Sequence, residues 1–179
     1  MARSIRVSLA DFLILRPRRD NAVMSDIRVL TSKSLMPLIK LDVATHQKGF
    51  VAPNAITMAQ SLFEPGNEIY GIWEDETPVG LLAVVDMSFP GADLDEEDDP
   101  DGLYVWRLMV AKDMQGKGYG RAAMEYAIQR CRDLGRKQLL LSAVEDEHGA
   151  IPFYEKLGFT RTGRIVSEEV ELVLVLDRT

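Results

Sequence analysis

The stretch Val110-Ala111-Lys112-Asp113-Met114-Gln115-Gly116-Lys117-Gly118-Tyr119-Gly120-Arg121 leaves an apolar run, crosses a glycine-spaced turn and enters a helical pattern. Upstream, residues 104–111 read as an apolar strand. Downstream, Ala122, Ala123, Tyr126, Ala127, Ile128, Cys131 and Leu134 recur at helical spacing. A helix that starts from such a turn has first N–H groups without internal partners, and its dipole favours an anion there. Glycines at 116, 118 and 120 let the backbone come close to a phosphate, and Lys117 and Arg121 add positive charge. The same glycines also suit plain chain reversal, so the turn by itself leaves both readings open. Its spacing is that of neither a Walker loop nor a dinucleotide fingerprint.

Outward from the turn, Gly135 stands where helices end, and residues 137–144 read as a buried strand. Residues 149–157 read as a short helix, and 159–164 and 170–176 as closing strands. On the amino-terminal side, residues 27–30 form a short strand, after which Thr31 or Ser32 caps a helix carrying Leu35, Leu38, Ile39 and Val43. Pro37 predicts a kink or a late start in that helix, and Pro53 opens a second one that ends before Pro65-Gly66. Residues 68–73 and 79–87 read as an antiparallel pair joined by the polar loop 74–78. Seven of the nine residues from 93 to 101 are acidic, which predicts a solvated, self-repelling loop. The element order is that of a mixed α/β (α+β) domain.

With 179 residues, 46% hydrophobic and 27% charged, the chain is long enough to bury about 70% of its unfolded surface without disulfide or metal support. The net charge of −7 repels a phosphate backbone, which argues against nucleic acid and favours a cationic small molecule. One cysteine, Cys131, excludes an internal disulfide and falls on the buried face of its helix. His46 and His148 lie far apart in sequence without ligand spacing, so no metal site is expected. The longest apolar run, residues 81–85, is far short of the ~18 residues of a membrane span. A cytoplasmic protein with no membrane partner is expected. Residues 1–24 hold five arginines against two acids, a composition open to two readings: a transit segment, or an extra strand followed by a turn, with Met24 as an alternative start.

The segment Gln115-Gly116-Lys117-Gly118-Tyr119-Gly120 resembles the acyl-CoA signature of the GNAT superfamily of N-acyltransferases. About thirty residues on, Ala150-Ile151-Pro152-Phe153-Tyr154-Glu155-Lys156-Leu157-Gly158-Phe159 resembles that family's Ala-x-x-x-Tyr-x-x-x-Gly-Phe ending. The resemblance makes residues 25–179 the acetyltransferase domain and leaves 1–24 as an amino-terminal extension. Within the superfamily, residues 42–65, with His46-Gln47-Lys48-Gly49-Phe50-Val51-Ala52, and Val105-Trp106-Arg107-Leu108-Met109 are similar to bacterial spermine/spermidine acetyltransferases.

That resemblance implies a mixed, mostly antiparallel sheet flanked by helices and splayed beside the 104–111 strand. Acetyl-CoA would be the cosubstrate, its pantetheine along Leu108, Met109 and Val110 and its pyrophosphate held by Gln115, Gly116, Lys117, Gly118, Tyr119, Gly120 and Arg121. A primary amine attacks the thioester directly in this family. A backbone N–H of Leu108 or Met109 would stabilise the oxyanion, and Tyr154 would act as general acid toward the departing thiolate. The finer similarity implies a polyamine acceptor such as spermidine or spermine, with His46, Glu68, Trp106 and Glu145 as acceptor-site candidates. Glu68, Asp86 and Glu145 are base candidates, and none is singled out.

Two departures stand against the pattern. Glu147 occupies a position where many relatives have asparagine, and Trp106 one where some polyamine acetyltransferases have an acid. Aminoglycoside, amino-acid and protein amino-terminal acceptors therefore stay open, as does a non-catalytic acyl-CoA-binding module. Homodimers are common in the family, and no residue here marks an interface.

Overall fold

The computed structural model describes residues 25–176, and the alternatives raised for residues 1–24 lie outside them. The strands are β1 (Asp26–Val29), β2 (Asn67–Glu74), β3 (Thr77–Asp86), β4 (Gly102–Val110), β5 (Gln138–Ala143), β6 (Thr160–Val166) and β7 (Glu169–Val175). They form one sheet in the order β1-β2-β3-β4-β5-β7-β6, antiparallel at every step except the parallel pair β4–β5. The mixed, mostly antiparallel fold class follows. Strand β3 is buried on both faces from Val79 to its end at Asp86, as the central run of apolar residues requires.

Helices cover both faces. Helices α3 (Tyr119–Asp133) and α4 (Ile151–Glu155) pack over a core of Leu82, Val84, Leu103, Val105, Met124, Leu139 and Leu141. On the other face α1 (Ser32–Ile39) and α2 (Asn54–Gln60) enclose Leu38, Val43, Met58, Leu81, Ala83 and Met109. Thr31 caps α1 reciprocally: its Oγ1 accepts from the Ser34 N–H at 3.3 Å, and Ser34 Oγ accepts from the Thr31 N–H at 2.8 Å. Pro37 neither delays the helix nor splits it, because α1 ends two residues later and little helix remains to be disturbed. Val43 lies beyond that end and reaches the core from a loop. Pro53 takes the cap position of α2, and the buried Asn54 amide donates to Leu38 O at 2.8 Å, tying α2 to the end of α1.

One loop expectation is corrected. The β2–β3 connection is a two-residue turn, with Glu74 opposite Thr77 and Asp75 at φ 51°, and Pro78 is accommodated beside a bulge at Ile72/Trp73. The acidic segment is largely exposed, as its composition predicts, but some of its carboxylates are paired. Arg164 on β6 reaches Asp98 at 2.9 Å, Glu97 at 3.3 Å and the buried Glu171 at 3.2 Å, while Lys137 pairs with Asp101. The β6–β7 turn places Ser167 and Glu168 at φ 49° and 69°, left-handed positions that glycine or asparagine would normally fill.

Candidate active site

The site begins where β4 and β5 part. Their ladder covers only Gly102–Val105 against Gln138–Leu141, so beyond Val105 the β5-facing backbone of β4 has no strand partner. On its other side β4 bulges: Ala83 faces Arg107 and Val84 faces Val105, which leaves Trp106 unmatched. The extra residue inverts the alternation. Val105 packs toward α3 before the bulge, and Leu108 and Val110 do so after it, while Trp106 and Met109 turn toward α1 and α2. Parting and bulge together open a cleft of about 380 Å³ between the two layers.

Leu108, Met109, Val110 and Gln115 line this cleft, with Trp106, Arg107, Ser142, His148, Tyr154 and Glu169. The Gln115 amide donates to Val110 O at 3.0 Å and to Gln47 Oε1 at 2.7 Å, which fixes the exit of β4 and engages the Val110 carbonyl. Next to the cleft, the glycine turn runs into α3. Gly116 and Gly118 have φ of 73° and 94°, and a Cβ at Gly116 would meet nothing within 4 Å, so the turn faces open space. Helix α3 has Gly118 at its cap and no side-chain cap bond, which leaves its first N–H groups for an outside acceptor. Lys117 has no carboxylate partner among the described residues, and Arg121 meets only Glu125, at 3.7 Å on the surface. This donor set fits a diphosphate. Tyr119 contributes backbone alone: its ring is buried beneath the turn, and burial pushes its phenol up to about 12. A Cβ at Gly120 would meet the Phe153 ring at 3.5 Å, an ordinary contact, so the packing of α3 on α4 does not require glycine there.

Tyr154 lies on α4, buried against Phe153 and Phe159. Burial, and then the charge of Glu169, hold its phenol far above the ordinary value, so it stays protonated and enters any reaction as an O–H donor. Opposite it runs a polar chain absent from the sequence reading. Tyr104 Oη donates to Ser142 Oγ at 2.8 Å, and Ser142 Oγ donates to Glu169 Oε2 at 2.5 Å. Glu169 is the one carboxylate lining the cleft among the described residues.

The acceptor-site candidates separate. Glu68 receives the Tyr70 hydroxyl and both arms of Arg130, at 2.5 and 2.8 Å, and Asp86 is clamped by Arg136 at 2.8 and 2.9 Å. Glu145 pairs with Arg161 at 2.6 Å on the surface. None of the three lines the cleft, because each strand end bearing them meets an arginine from α3, the turn after it, or β6. Trp106 does line it, but the ring face open to a cation already carries the Arg107 guanidinium, 4.9 Å from the centroid. His46 stays outside yet packs its ring on His148 at 5.2 Å, so the fold joins two histidines that sequence holds apart. Glu147, at the departure from the family pattern, is exposed and lies 3.4 Å from His148 Nε2. No group of three or more His, Cys, Asp or Glu able to hold a metal occurs among the described residues. Burial pushes the Cys131 thiol up to about 11, away from nucleophilic use.

Arg107, Ser142 and Glu169 are the residues that sequence reasoning missed. A lone serine in the apolar run 139–143 and a lone arginine in 103–110 were signals, since a polar group inside a buried strand needs a reason. Glu169 gives no such signal, because acids flank it in an ordinary hairpin.

Residues 35–159 match the Acetyltransferase (GNAT) family, and the chain belongs to that family. A mycothiol acetyltransferase of Geodermatophilus obscurus is 42% identical over 57 residues, 32% of this chain and 18% of that protein. A probable spermine N(1)-acetyltransferase of Bacillus subtilis subsp. natto is 23% identical over 141 residues, 78% of this chain and 90% of that one. Among the first curated relatives the chain spans as little as 18% and 54% of the partner's length. The crystal structure of PaiA N-acetyltransferase from Thermoplasma acidophilum in complex with coenzyme A superposes with a TM-score of 0.62 at 15% identity, covering 85% of this chain and 99% of that one. No described helix is long and apolar enough to cross a membrane.

Proposed function

We propose that the protein transfers the acetyl group of acetyl-CoA to a primary amine in the β4–β5 cleft. One observation carries the reading: Tyr154, Glu169 and Leu108, whose β5-facing edge has no strand partner, line the same cleft, beside a glycine turn suited to a diphosphate. Acetyl-CoA supplies the activated thioester. Leu108 offers its backbone N–H toward developing negative charge on the carbonyl oxygen, because the neighbouring Met109 is paired with Leu81 of β3 and Ala111 N–H likewise bonds Val79 O. An amine reaches the cleft as an ammonium with a pKa near 10.4 and must lose a proton before it attacks. Glu169, held by Ser142, receives that ammonium and accepts its proton, and Tyr154 donates a hydrogen bond to the departing sulfur.

Polyamine acceptance is a second reading, supported by the likeness to the probable spermine N(1)-acetyltransferase. The acidic loop also supports it, because Arg164 and Lys137 offset only two of its seven negative charges. Coenzyme A release from acetyl-CoA tests both readings, with spermidine, spermine, aminoglycosides and amino acids against a no-acceptor control. Release with any primary amine supports the first; release greatest with spermidine or spermine supports the second. Acetyl-CoA binding without release for any amine would leave a binding module.

A further inference from the structure

Arg107 makes no ion pair among the described residues, and Glu169 of the same cleft acts on it only from a distance. The Arg107 side chain lies partly buried on the cleft wall. One arm donates to the carbonyl of its neighbour Trp106 at 2.6 Å, and its Nε is buried with no partner at all. A guanidinium carries five donors in a planar fork, and leaving a buried Nε–H unused is costly unless a ligand takes it. The bulge at Trp106 alters the strand alternation here, and the Trp106 ring stacks the guanidinium in one orientation. Lys48, the other cation on the wall, is already paired with Asp42 at 3.0 Å. The cleft thus offers one open cation, Arg107, and one carboxylate, Glu169.

The geometry points to Arg107 as the residue that selects the acceptor, by binding a carboxylate carried on the same small molecule as the amine: the substrate class is a free amino acid. This rests on the proposed acetyl transfer and narrows it. The ammonium goes to Glu169, and the carboxylate takes the planar fork of Arg107 through paired N–H donors. A polycation gains nothing from Arg107 and is repelled by it.

The test has two readouts. In the first, coenzyme A release is measured with each α-amino acid beside the amine that lacks its carboxylate, and with spermidine, for wild type, Arg107→Met and Arg107→Lys. The best acceptor is expected to be an amino acid, at least ~100-fold above its decarboxylated partner in kcat/KM, in line with rejection of a ligand that leaves a buried polar group unpaired. Arg107→Met should remove that preference through KM, and Arg107→Lys should restore part of it. The second readout is titration calorimetry of the same acids and amines into protein saturated with coenzyme A, together with the acetyl-CoA Kd of each variant. Binding of an acid but not its amine, lost in Arg107→Met with acetyl-CoA affinity unchanged, supports the carboxylate site whether or not turnover occurs. Acid binding without turnover would overturn the acetyl-transfer reading alone. Equal use of acids and amines, preference for spermidine, or an Arg107→Met variant that weakens acetyl-CoA at least tenfold would overturn the assignment of Arg107.

Discussion

The Ser142 hydroxyl donates to the Glu169 carboxylate at 2.5 Å, joining β5 to β7 at the point where β5 leaves β4. Because Ser142 also accepts from Tyr104 at 2.8 Å, replacing it by alanine strands one hydroxyl and frees one carboxylate. Ser142→Ala should lose about 1–2 kcal/mol of stability. Its kcat should fall several-fold while the acetyl-CoA Kd stays as in wild type. Chemical denaturation and steady-state assays on one preparation check both numbers.

Tyr154→Phe keeps the buried ring and removes only the donor. Where chemistry limits turnover, kcat is expected to fall about 10²-fold, at the low end for a general acid, with little change in acetyl-CoA affinity. Wild-type turnover in this variant would remove the tyrosine from the mechanism.

Two of the three glycines of the turn differ in what they tolerate. Gly118 sits at φ 94°, so Gly118→Ala strains the chain by about 1–2 kcal/mol and disturbs the start of α3. Gly120 lies within the helix, and its added Cβ would meet only ordinary contacts, the nearest at 3.5 Å. Calorimetry should show weaker coenzyme A binding for Gly118→Ala, and thermal melts should show near-wild-type stability for Gly120→Ala.

Glu68 and Arg130 set part of the acid limit of the fold. The Arg130 guanidinium, aided by the Tyr70 hydroxyl and opposed by burial, holds the Glu68 carboxyl below its ordinary 4.5. Folding therefore favours the ionised form: the contribution is complete above pH 4.5 and is lost as pH falls through the lowered value. Glu68→Gln should cost about 1–2 kcal/mol at neutral pH and flatten the decline of Tm below pH 4.5. An unchanged acid limb would show that the pair does not carry it.

Much of the fold was legible because periodicity and punctuation agree. The apolar runs around residues 69–73 and 79–87 alternate or stay buried, Thr31 caps, and Gly135 stops α3 with φ 71°. What was not legible depends on tertiary approach. Nothing local in Glu68 announces that Arg130, 62 residues on, will claim it, and nothing local in the acidic segment announces Arg164. The glycine turn could be read because its conformation is encoded in its own residues. Glu169 could not, because its importance comes from β7 lying against β5.

Steady-state coenzyme A release at saturating acetyl-CoA, by wild type and Glu169→Gln on the best primary-amine acceptor, tests the central claim most directly. The account predicts turnover by wild type and a fall of about 10²-fold in kcat for the variant, with the acetyl-CoA Kd unchanged. Equal kcat in the two proteins would contradict it.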